Sequence, residues 1–371
     1  MSLQHNKRQK YISTTMSTVL LLGSRLTGML EGINESPILS TLPTVLNNDV
    51  PLIGTHDGSF HCDEALAVSM LRLLPSYKSS PIIRTRNPDI LAKCNIVVDV
   101  GAVYDPERHL YDHHQREFTD KLENYNTKLS SAGLVYKHFG KEILKEIISS
   151  DDGIIPSDEF VNTCYHKLYK DFMEHIDAID NGISISDSTP RYHISSTLSS
   201  RVGMLNPSWN EVQTPDIINE RFSNAMQLTC SEFLLHAHQL VKSWWPARSI
   251  VQSALDSRLS IHPSGKIIVL DQACPWKDHL FELESEYKAE PVLYALYQDL
   301  GGSWRIQAVP VDPNSFQSRK KLPDEWCGLR DDVLSEKVGM PGAIFIHASG
   351  FIGGHKDKAG ALHIAIAALS K

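Results

Sequence analysis

The sequence has no apolar run that could cross a bilayer. Its longest apolar stretches, Ala343–Ile346 and Ala359–Leu369, are shorter than the roughly 20 apolar residues of a transmembrane helix. We therefore expect neither a membrane-spanning protein nor a membrane partner. With 42% hydrophobic and 22% charged residues the composition is typical of a folded globular protein, and 371 residues exceed the usual size of a single hydrophobic core. Two domains are expected.

The sequence also lacks paired cysteines and a positive net charge. Its six cysteines stand singly, with no Cys-x-x-Cys spacing, which argues against a zinc ribbon or a thiol redox motif and favours reduced, intracellular thiols. The formal net charge of −8 argues against a protein that coats nucleic acid through a broad basic surface. A polyanionic substrate would have to be bound locally.

The first 50 residues differ from the rest of the chain. Lys7, Arg8, Lys10 and Arg25 precede the first acidic residue, Glu31, and serine and threonine are frequent. This pattern resembles an organellar transit segment, and a disordered tail without a targeting function is the alternative. We expect an intracellular protein, mitochondrial or nuclear, with the cytoplasm as the alternative.

From Pro51 onward, short apolar runs alternate with segments of helical periodicity, which is the pattern of an α/β fold built on a parallel sheet. Apolar and β-branched runs predict strands at 52–54, 81–84, 96–100, 109–111, 267–270, 291–297, 304–309 and 343–346. Helical periodicity predicts helices at 65–74, 130–148, 160–179 and 217–259, the last broken near Pro246.

A stretch at 185–215 is rich in serine, threonine, proline and asparagine, and predicts a linker or an active-site loop with a domain boundary nearby. We divide the chain into a leader at 1–50 and a metal-binding catalytic α/β domain at 51–200. The remainder, 201–371, is predicted to contain a helical connection and a smaller second α/β domain that binds the substrate.

Four groups of histidines and acids lie at the ends of predicted strands or helices: His56–Glu64, Asp99, Asp112–His114 and Asp177–Asp180. Open α/β sheets bind ligands outside the carboxyl ends of their strands, so the four groups can converge on one crevice. Imidazoles and carboxylates without thiolates suit manganese, magnesium or iron better than a structural zinc.

The positions of these residues in the predicted helices and strands indicate that they have different roles. His61 and Asp63 start a predicted helix, whose first N–H groups also favour an anion such as phosphate. Asp99 interrupts an apolar run, and because a lone buried carboxylate is costly, we expect it to be paired or to bridge two metal ions. His113 and His114 point opposite ways at a strand end, so one can bind metal while the other faces a phosphate.

Each group also has an ordinary structural interpretation. Asp63 could simply cap the following helix, Asp112–His114 could be surface turn residues, and Asp177 and Asp180 could be solvated positions on one helical face. Because all four groups lie where one site could form, we favour the metal site.

Longer motifs surround these residues: Gly54–Ala67, Asp112–Gln115, Ile176–Gly182 and Leu205–Trp209. These motifs resemble the melanocyte proliferating gene exonuclease family, also labelled the metal-dependent protein hydrolase family, and the resemblance extends from about Pro51 to the C-terminus. The family is similar to the larger Asp-His-His (DHH) phosphoesterase superfamily. This resemblance implies a DHH-phosphoesterase-like parallel sheet domain, a dinuclear manganese site and hydrolysis of phosphodiesters.

The resemblance also implies roles for individual residues. It implies two Mn²⁺, with Mg²⁺ as the alternative, held by His56, His61, Asp63, Asp99, His113 and Asp177. The implied catalytic residues are Asp112, His113 and His114. Substrate binding would involve His114 and a glycine-rich loop with Gly353, Gly354 and His355. We add Arg191, Arg201 and Arg330, whose planar donors suit phosphodiesters.

The function implied by the resemblance is that of a 3′–5′ exonuclease acting on RNA or a short oligonucleotide. A hydrolase of nucleotides or pyrophosphate is the alternative, since the same metal site serves small phosphates in the superfamily. A regulatory protein that keeps the site only for binding is a third interpretation, disfavoured because the ligand motifs are complete. The oligomeric state stays open, with a homodimer as one option.

Overall fold

The computed structural model describes residues 22, 24–43, 49–149 and 155–371. The chain separates into two compact units, residues 1–241 and 242–371. The division into domains near residue 200, which the sequence analysis gave, stays a prediction.

The first unit is built on a six-stranded sheet. Its strands are β1 (Ile38–Leu39), β2 (Ile53–Thr55), β3 (Ile82–Arg84), β4 (Ile96–Val98), β5 (Tyr104–Asp105) and β6 (Leu110–Tyr111), in the order β1–β3–β2–β4–β6–β5. All neighbours are parallel except β5 and β6. Every residue of β2, β3 and β4 is buried, as expected of parallel strands covered on both faces. The predicted parallel α/β fold is confirmed.

The helices of this unit are α1 (Ser24–Gly32), α2 (Cys62–Leu71), α3 (Pro88–Leu91), α4 (Ser131–Ser149), α5 (Asp158–Leu168), α6 (Glu174–Asp180), α7 (Leu198–Gly203) and α8 (Pro215–Gln239), with a 3₁₀ turn at Pro106–Arg108. A π-helical turn, Tyr169–Met173, joins α5 to α6 and interrupts the helix predicted at 160–179. The presence of α7 differs from the prediction that 185–215 has no regular element. Thr197 caps α7 by accepting a hydrogen bond from the Ser200 N–H at 3.1 Å.

The central helix is α2, which packs against α4 and α8 and has every residue buried. Its buried residues include Asp63 and Glu64 in the first turn. Carboxylates are rarely buried without partners. The two carboxylates at the N-terminal end of α2 therefore require hydrogen-bond donors or cations that compensate for their buried charge.

Residues 24–43 belong to this folded unit although they lie inside the predicted leader. Helix α1 buries Leu30 completely, and β1 forms an edge of the sheet beside β3. The buried guanidinium of Arg72 donates to the carbonyl oxygens of Ile33 and Ser36, and so ties this segment to the end of α2. The interpretation of the leader as a targeting segment stays a prediction.

The second unit contains a five-stranded sheet. Its strands are β7 (Ile267–Val269), β8 (Tyr294–Gln298), β9 (Trp304–Ala308), β10 (Ala343–Ile346) and β11 (Ile352–His355), in the order β10–β11–β9–β8–β7. Only β7 and β8 are parallel among these neighbours. The helices are α9 (Trp245–Asp256), α10 (Arg258–Ile261), α11 (Lys277–Tyr287), α12 (Asp331–Val338) and α13 (Lys358–Ser370), with a 3₁₀ turn at Asp324–Trp326. A π-helical turn, Leu240–Trp244, precedes α9, so the helical region is interrupted just before Pro246, as predicted.

Both faces of the second sheet are covered by apolar clusters. Along β7, Ile267 belongs to one cluster and Ile268 to the other, because successive side chains of a strand point to opposite faces. Ile364 of α13 lies in the first cluster and Leu280 of α11 in the second. The second α/β domain predicted from the sequence is therefore confirmed, with a mainly antiparallel sheet.

In the part of the chain that the structure describes, none of the helices combines the length and the apolar character needed to span a membrane.

Candidate metal centre

Several loops and helix ends meet beyond the carboxyl ends of the first sheet. His56 follows β2, Asp99 follows β4, and Asp112–His114 follows β6, while Asp180 ends α6. Parallel strands bring their carboxyl ends to the same edge of a sheet, so the order of the strands accounts for this convergence.

Three overlapping groups of imidazoles and carboxylates could each hold a metal ion, because the ligand atoms within a group lie within 4.8 Å of one another. The groups are His56, His61, Glu64 and Asp99; Asp99, His113 and His114; and Asp63, His113 and Asp180. Asp99 and His113 each belong to two groups, and Asp99 Oδ1 lies 3.7 Å from His113 Nε2. Of the predicted ligands, the structure brings together His56, His61, Asp63, Asp99 and His113.

Asp63 gives the clearest indication of a cation. Its side chain is buried, and neither carboxylate oxygen has a hydrogen-bond partner among the described residues. Burial raises the pKa of Asp63 well above its usual value, and the negative charges of Asp99 and Asp180 raise it further. A divalent cation would remove both the desolvation penalty and the repulsion. The residues present therefore fit a hard metal ion with oxygen and imidazole ligands.

Glu64 belongs to this centre, although the sequence analysis gave it no role as a ligand. Its Oε1 accepts a hydrogen bond from the His61 N–H at 2.7 Å and lies 2.9 Å from His56 Nε2. Burial opposes a charge on His56, but hydrogen bonds with Asp99 and Glu64 raise the pKa of His56 to about 10. The sequence signal was the position of Glu64 three residues after the N-cap His61, where a glutamate closes a capping box.

Asp99 adopts a strained backbone conformation just after β4. Its φ of 58° lies in the left-handed region, which costs a non-glycine residue about 1–3 kcal/mol. Asp99 Oδ1 accepts a hydrogen bond from Ser131 Oγ at 3.0 Å, and Oδ2 lies 3.4 Å from His56 Nε2. Burial raises the pKa of Asp99, and the hydrogen bond with His56 opposes this effect. Strain of this kind clusters at functional sites.

Asp112 joins none of the three groups found among the described residues and instead orients His114. Its Oδ1 accepts a hydrogen bond from the His114 N–H at 3.0 Å and lies 2.7 Å from His114 Nδ1, while Oδ2 accepts from the Ala102 N–H at 2.6 Å. Burial opposes the charge on Asp112, but these hydrogen bonds lower its pKa. The side chain of His114 is 60% exposed, so Nε2 is the ring nitrogen left for a substrate.

Two cavities open onto these groups. One of about 310 Å³ is lined by residues that include Phe60, Asp63, Asp180, Ser199 and Gly203, and one of about 390 Å³ by residues that include His56, Arg86 and Asp112. Both cavities are lined by His61, Asp99 and His114. Their volumes lie at the lower end of the range for small-molecule sites, which begins at roughly 300 Å³.

Comparison with known proteins places the chain in a family. It matches the MYG1_exonuc family model, described as Uncharacterised protein family (UPF0160), over residues 52–369. It is 50% identical over 331 residues to MYG1 exonuclease of Homo sapiens, with 86% of each protein covered. The chain belongs to the MYG1 exonuclease family.

Other members of the MYG1 exonuclease family match over a similar length. The chain is 49% identical over 331 residues to MYG1 exonuclease of Rattus norvegicus, covering 86% of this chain and 85% of that protein. It is 47% identical over 323 residues to MYG1 protein of Dictyostelium discoideum, covering 86% and 96%. No solved structure matches the chain significantly. The family predicted from the motifs is confirmed, and its relation to the DHH phosphoesterase superfamily stays a prediction.

In this member of the MYG1 exonuclease family, Asp177 and Asp180 have different surroundings. Asp177 is fully buried and accepts hydrogen bonds from the Ser130 N–H at 3.0 Å, the Ser130 hydroxyl at 2.7 Å and the Tyr169 hydroxyl at 2.8 Å. Burial raises the pKa of Asp177 to about 7, against the effect of these hydrogen bonds. Within the described chain it joins none of the three groups, whereas Asp180 Oδ2 lies 3.0 Å from His113 Nε2. The structure thus places Asp180 where the sequence analysis placed Asp177, and metal binding by either stays a prediction.

The arginines predicted to bind substrate lie in three places. Arg201 is on α7, between the cavity residues Ser199 and Gly203, and its Nη1 lies 2.9 Å from Glu232 Oε1. Arg191 is exposed in the segment between α6 and α7. Arg330 is exposed at the N-cap of α12 in the second unit. Their contact with a substrate stays a prediction.

The glycine-rich segment of the second unit is the strand β11 rather than the predicted loop. Gly353 and Gly354 pair with both β10 and β9, and a Cβ at Gly354 would lie 2.5 Å from Nη1 of Arg305. This close approach explains the glycine there. His355 is fully buried, with Nε2 3.0 Å from the Pro341 carbonyl oxygen. Substrate binding by Gly353, Gly354 and His355 stays a prediction.

Proposed function

We propose that this chain is a metal-dependent hydrolase of phosphodiester bonds, an exonuclease that removes nucleotides from the 3′ end of RNA. The names of its relatives support the proposal, since the proteins of Homo sapiens and Rattus norvegicus that it resembles are both called MYG1 exonuclease. The substrate would be RNA or a short oligonucleotide that is held locally, because a net charge of −8 provides no broad basic surface.

One observation carries the proposal: in the part of the chain that the structure describes, the carboxylate of Asp63 is buried without a hydrogen-bond partner, inside a set of ligand groups that share Asp99 and His113. We infer a site for two divalent cations, Mn²⁺ with Mg²⁺ as the alternative. One would be held by His56, His61 and Asp99, and the other by Asp63, His113 and Asp180. When bound, such a pair supplies positive charge beside a phosphodiester and a water of lowered pKa.

Other groups of the chain would bind and orient the phosphate. Helix α2 begins at the 310 Å³ cavity, and the positive end of its dipole favours an anion there. Because Asp112 holds Nδ1 of His114, this histidine would present Nε2 to a phosphate oxygen. Arg201, whose side chain is 39% exposed on the neighbouring helix α7, would add a guanidinium donor.

The direct test incubates the purified protein with Mn²⁺ and an oligoribonucleotide that carries a 5′ label. The wild type should shorten the oligonucleotide stepwise from its 3′ end, and Asp63→Asn should lower the rate by about 100-fold or more because a buried ligand charge is lost. Asp187→Asn removes the same charge from an exposed loop residue and should leave the rate unchanged.

Other outcomes of this experiment would change the conclusion. Release of phosphate from nucleotides or pyrophosphate, with the oligoribonucleotide intact, would support a hydrolase of small phosphates instead. Metal binding without hydrolysis of either substrate would support a regulatory protein. An oligodeoxyribonucleotide of the same sequence measures the preference for RNA over DNA.

We also propose that the N-terminal residues direct the protein to mitochondria or the nucleus, because basic residues precede the first acid, Glu31. Since residues 24–43 are part of the folded first unit, any cleavage should occur before Ser24. A fusion of residues 1–23 to a fluorescent protein tests the proposal. Diffuse cytoplasmic fluorescence would contradict it.

A further inference from the structure

Trp209 lies on the surface of the first unit with 91% of its area exposed. Tryptophan has one of the largest apolar side chains, so full exposure gives up a large stabilisation. Met204 and Val212, in the same loop between α7 and α8, are each 73% exposed. Isolated exposed apolar residues are common, but three in one short loop form a surface that calls for an explanation.

The turn that carries Trp209 is held by hydrogen bonds on both sides. The Glu211 N–H donates to the Ser208 carbonyl oxygen at 2.9 Å, and the Ser208 N–H donates to the Glu211 carboxylate at 2.7 Å. Arg221 of α8 donates to the same carboxylate at 2.9 Å, and the Gln213 side chain donates to the Ser208 carbonyl oxygen at 3.3 Å. The indole is therefore presented by an ordered turn, which lowers the entropy lost when a ligand binds to it.

The same loop is joined to the wall of the 310 Å³ cavity. Asn206 Nδ2 donates to the Phe60 carbonyl oxygen at 2.8 Å, and Asn206 Oδ1 accepts from the Phe60 N–H at 2.9 Å. Phe60 and Gly203 line this cavity together with His61. Trp209 follows Asn206 by three residues, and three residues of chain span at most roughly 11 Å. The Cα atom of Trp209 therefore lies no more than roughly 11 Å from that of Asn206, which is hydrogen-bonded to the cavity residue Phe60.

We propose that Trp209 stacks against a base of a single-stranded nucleic acid whose 3′-terminal nucleotide occupies the cavity beside the metal centre. This inference rests on the proposed function and specifies its substrate as an unpaired 3′ end. A base presents a flat face that matches the exposed indole, and such stacking tolerates any sequence. In a duplex the bases remain stacked on one another, so a paired end cannot use this surface.

A stable protein interface buries roughly 800 Å² on each partner, whereas the exposed apolar residues of this loop are three side chains. This comparison favours a nucleic-acid base over a second protein chain as the occupant. A base stacked on one indole needs no more than the surface that is present.

The test measures binding by fluorescence anisotropy with a labelled oligoribonucleotide in the presence of Ca²⁺ in place of Mn²⁺, so that the strand is bound without being cut. Trp209→Ala should weaken the Kd by about tenfold or more, and Trp209→Phe, which keeps a flat aromatic face, should stay much closer to the wild type. Ile155→Ala removes an apolar side chain that is 89% exposed in the first unit and should leave the Kd unchanged. The affinity for Mn²⁺, measured by isothermal titration calorimetry, should be equal in the wild type and Trp209→Ala, which shows that the variant is folded.

Equal affinity of the wild type and Trp209→Ala for the oligonucleotide would overturn the stacking proposal. A changed oligomeric state of Trp209→Ala in sedimentation, with its affinity for RNA intact, would also overturn it, because a second copy would then cover the surface. If Trp209→Ala weakens binding but the wild type does not shorten RNA, the stacking proposal stands and the proposed exonuclease function fails. If the wild type shortens RNA and Trp209→Ala has an unchanged KM, the proposed exonuclease function stands and the stacking proposal fails.

Discussion

His113 Nε2 and Asp180 Oδ2 lie 3.0 Å apart, and Asp63 belongs to the same group of potential metal ligands. Burial opposes a charge on Asp180, but the neighbouring His113 lowers the pKa of Asp180. The loop after β6 and the end of α6 therefore meet at the candidate metal centre. This pair, rather than Asp177, is where we expect a cation to contact α6.

Asp180→Asn should weaken the binding of Mn²⁺ by about 10- to 100-fold, because the amide keeps the shape of the side chain and removes its charge. Isothermal titration calorimetry on the metal-free protein measures this change. Asp187→Asn, an exposed residue of the following loop, is the control and should bind as the wild type does. If Asp180→Asn binds Mn²⁺ with normal affinity and Asp177→Asn binds it more weakly, Asp177 rather than Asp180 is the ligand.

Without metal, Asp63→Asn should raise the free energy of unfolding by about 1–2 kcal/mol, because the buried carboxylate has no partner and is repelled by neighbouring acids. Thermal unfolding in EDTA measures the effect as a higher Tm. Addition of Mn²⁺ should raise the Tm of the wild type more than that of the variant. A lower Tm for Asp63→Asn in EDTA would mean that the protein already compensates this carboxylate.

Asp112→Asn should lower kcat for an oligoribonucleotide by about 100-fold while leaving the affinity for Mn²⁺ nearly unchanged. The reason is that Asp112 accepts from both the Ala102 N–H and the His114 ring, and an amide has only one oxygen for these donors. Steady-state kinetics and metal titration on the same preparation separate the two effects. An equal fall in metal affinity and in rate would instead make Asp112 a ligand.

Gly133→Ala should lower the free energy of unfolding by about 1–3 kcal/mol. A Cβ at this position of α4 would clash with Asp177 Oδ1, so the carboxylate would have to leave its hydrogen bonds with Ser130. Gly28→Ala on α1 is the matched control, since its Cβ would meet none of the described residues within 4 Å and alanine favours a helix by about 0.5–1 kcal/mol. Urea unfolding measures both variants. Wild-type stability of Gly133→Ala would show that Asp177 has room to move.

Much of the candidate centre could be predicted because strand ends are visible in the sequence. His56, Asp99 and His113 follow short apolar runs, and parallel pairing brings the ends of such runs to one edge. Which residues of α6 face the candidate metal centre could not be predicted in the same way. The π-helical turn Tyr169–Met173 places an extra residue in one helical turn, so the residues after it are rotated relative to the pattern before it. Which acid of α6 faces His113 therefore depends on a backbone irregularity that has no clear signature in the sequence.

Strands β1 and β11 were missed because they depend on contacts distant in sequence. Gly353 and Gly354 have a low propensity for strands, and β11 exists because it pairs with β9 and β10. The segment containing β1 has the composition of a leader, and it is held by β3 and by Arg72. Local periodicity carries no information about such partners.

Helix α2 starts at the candidate metal centre and continues between α4 and α8 with all of its residues enclosed. Because protein interiors are close-packed and transmit strain, a substitution far along this helix, for example at Val68, is expected to disturb the two carboxylates of the first turn. Interior packing and the geometry of the candidate metal centre are therefore linked in this chain.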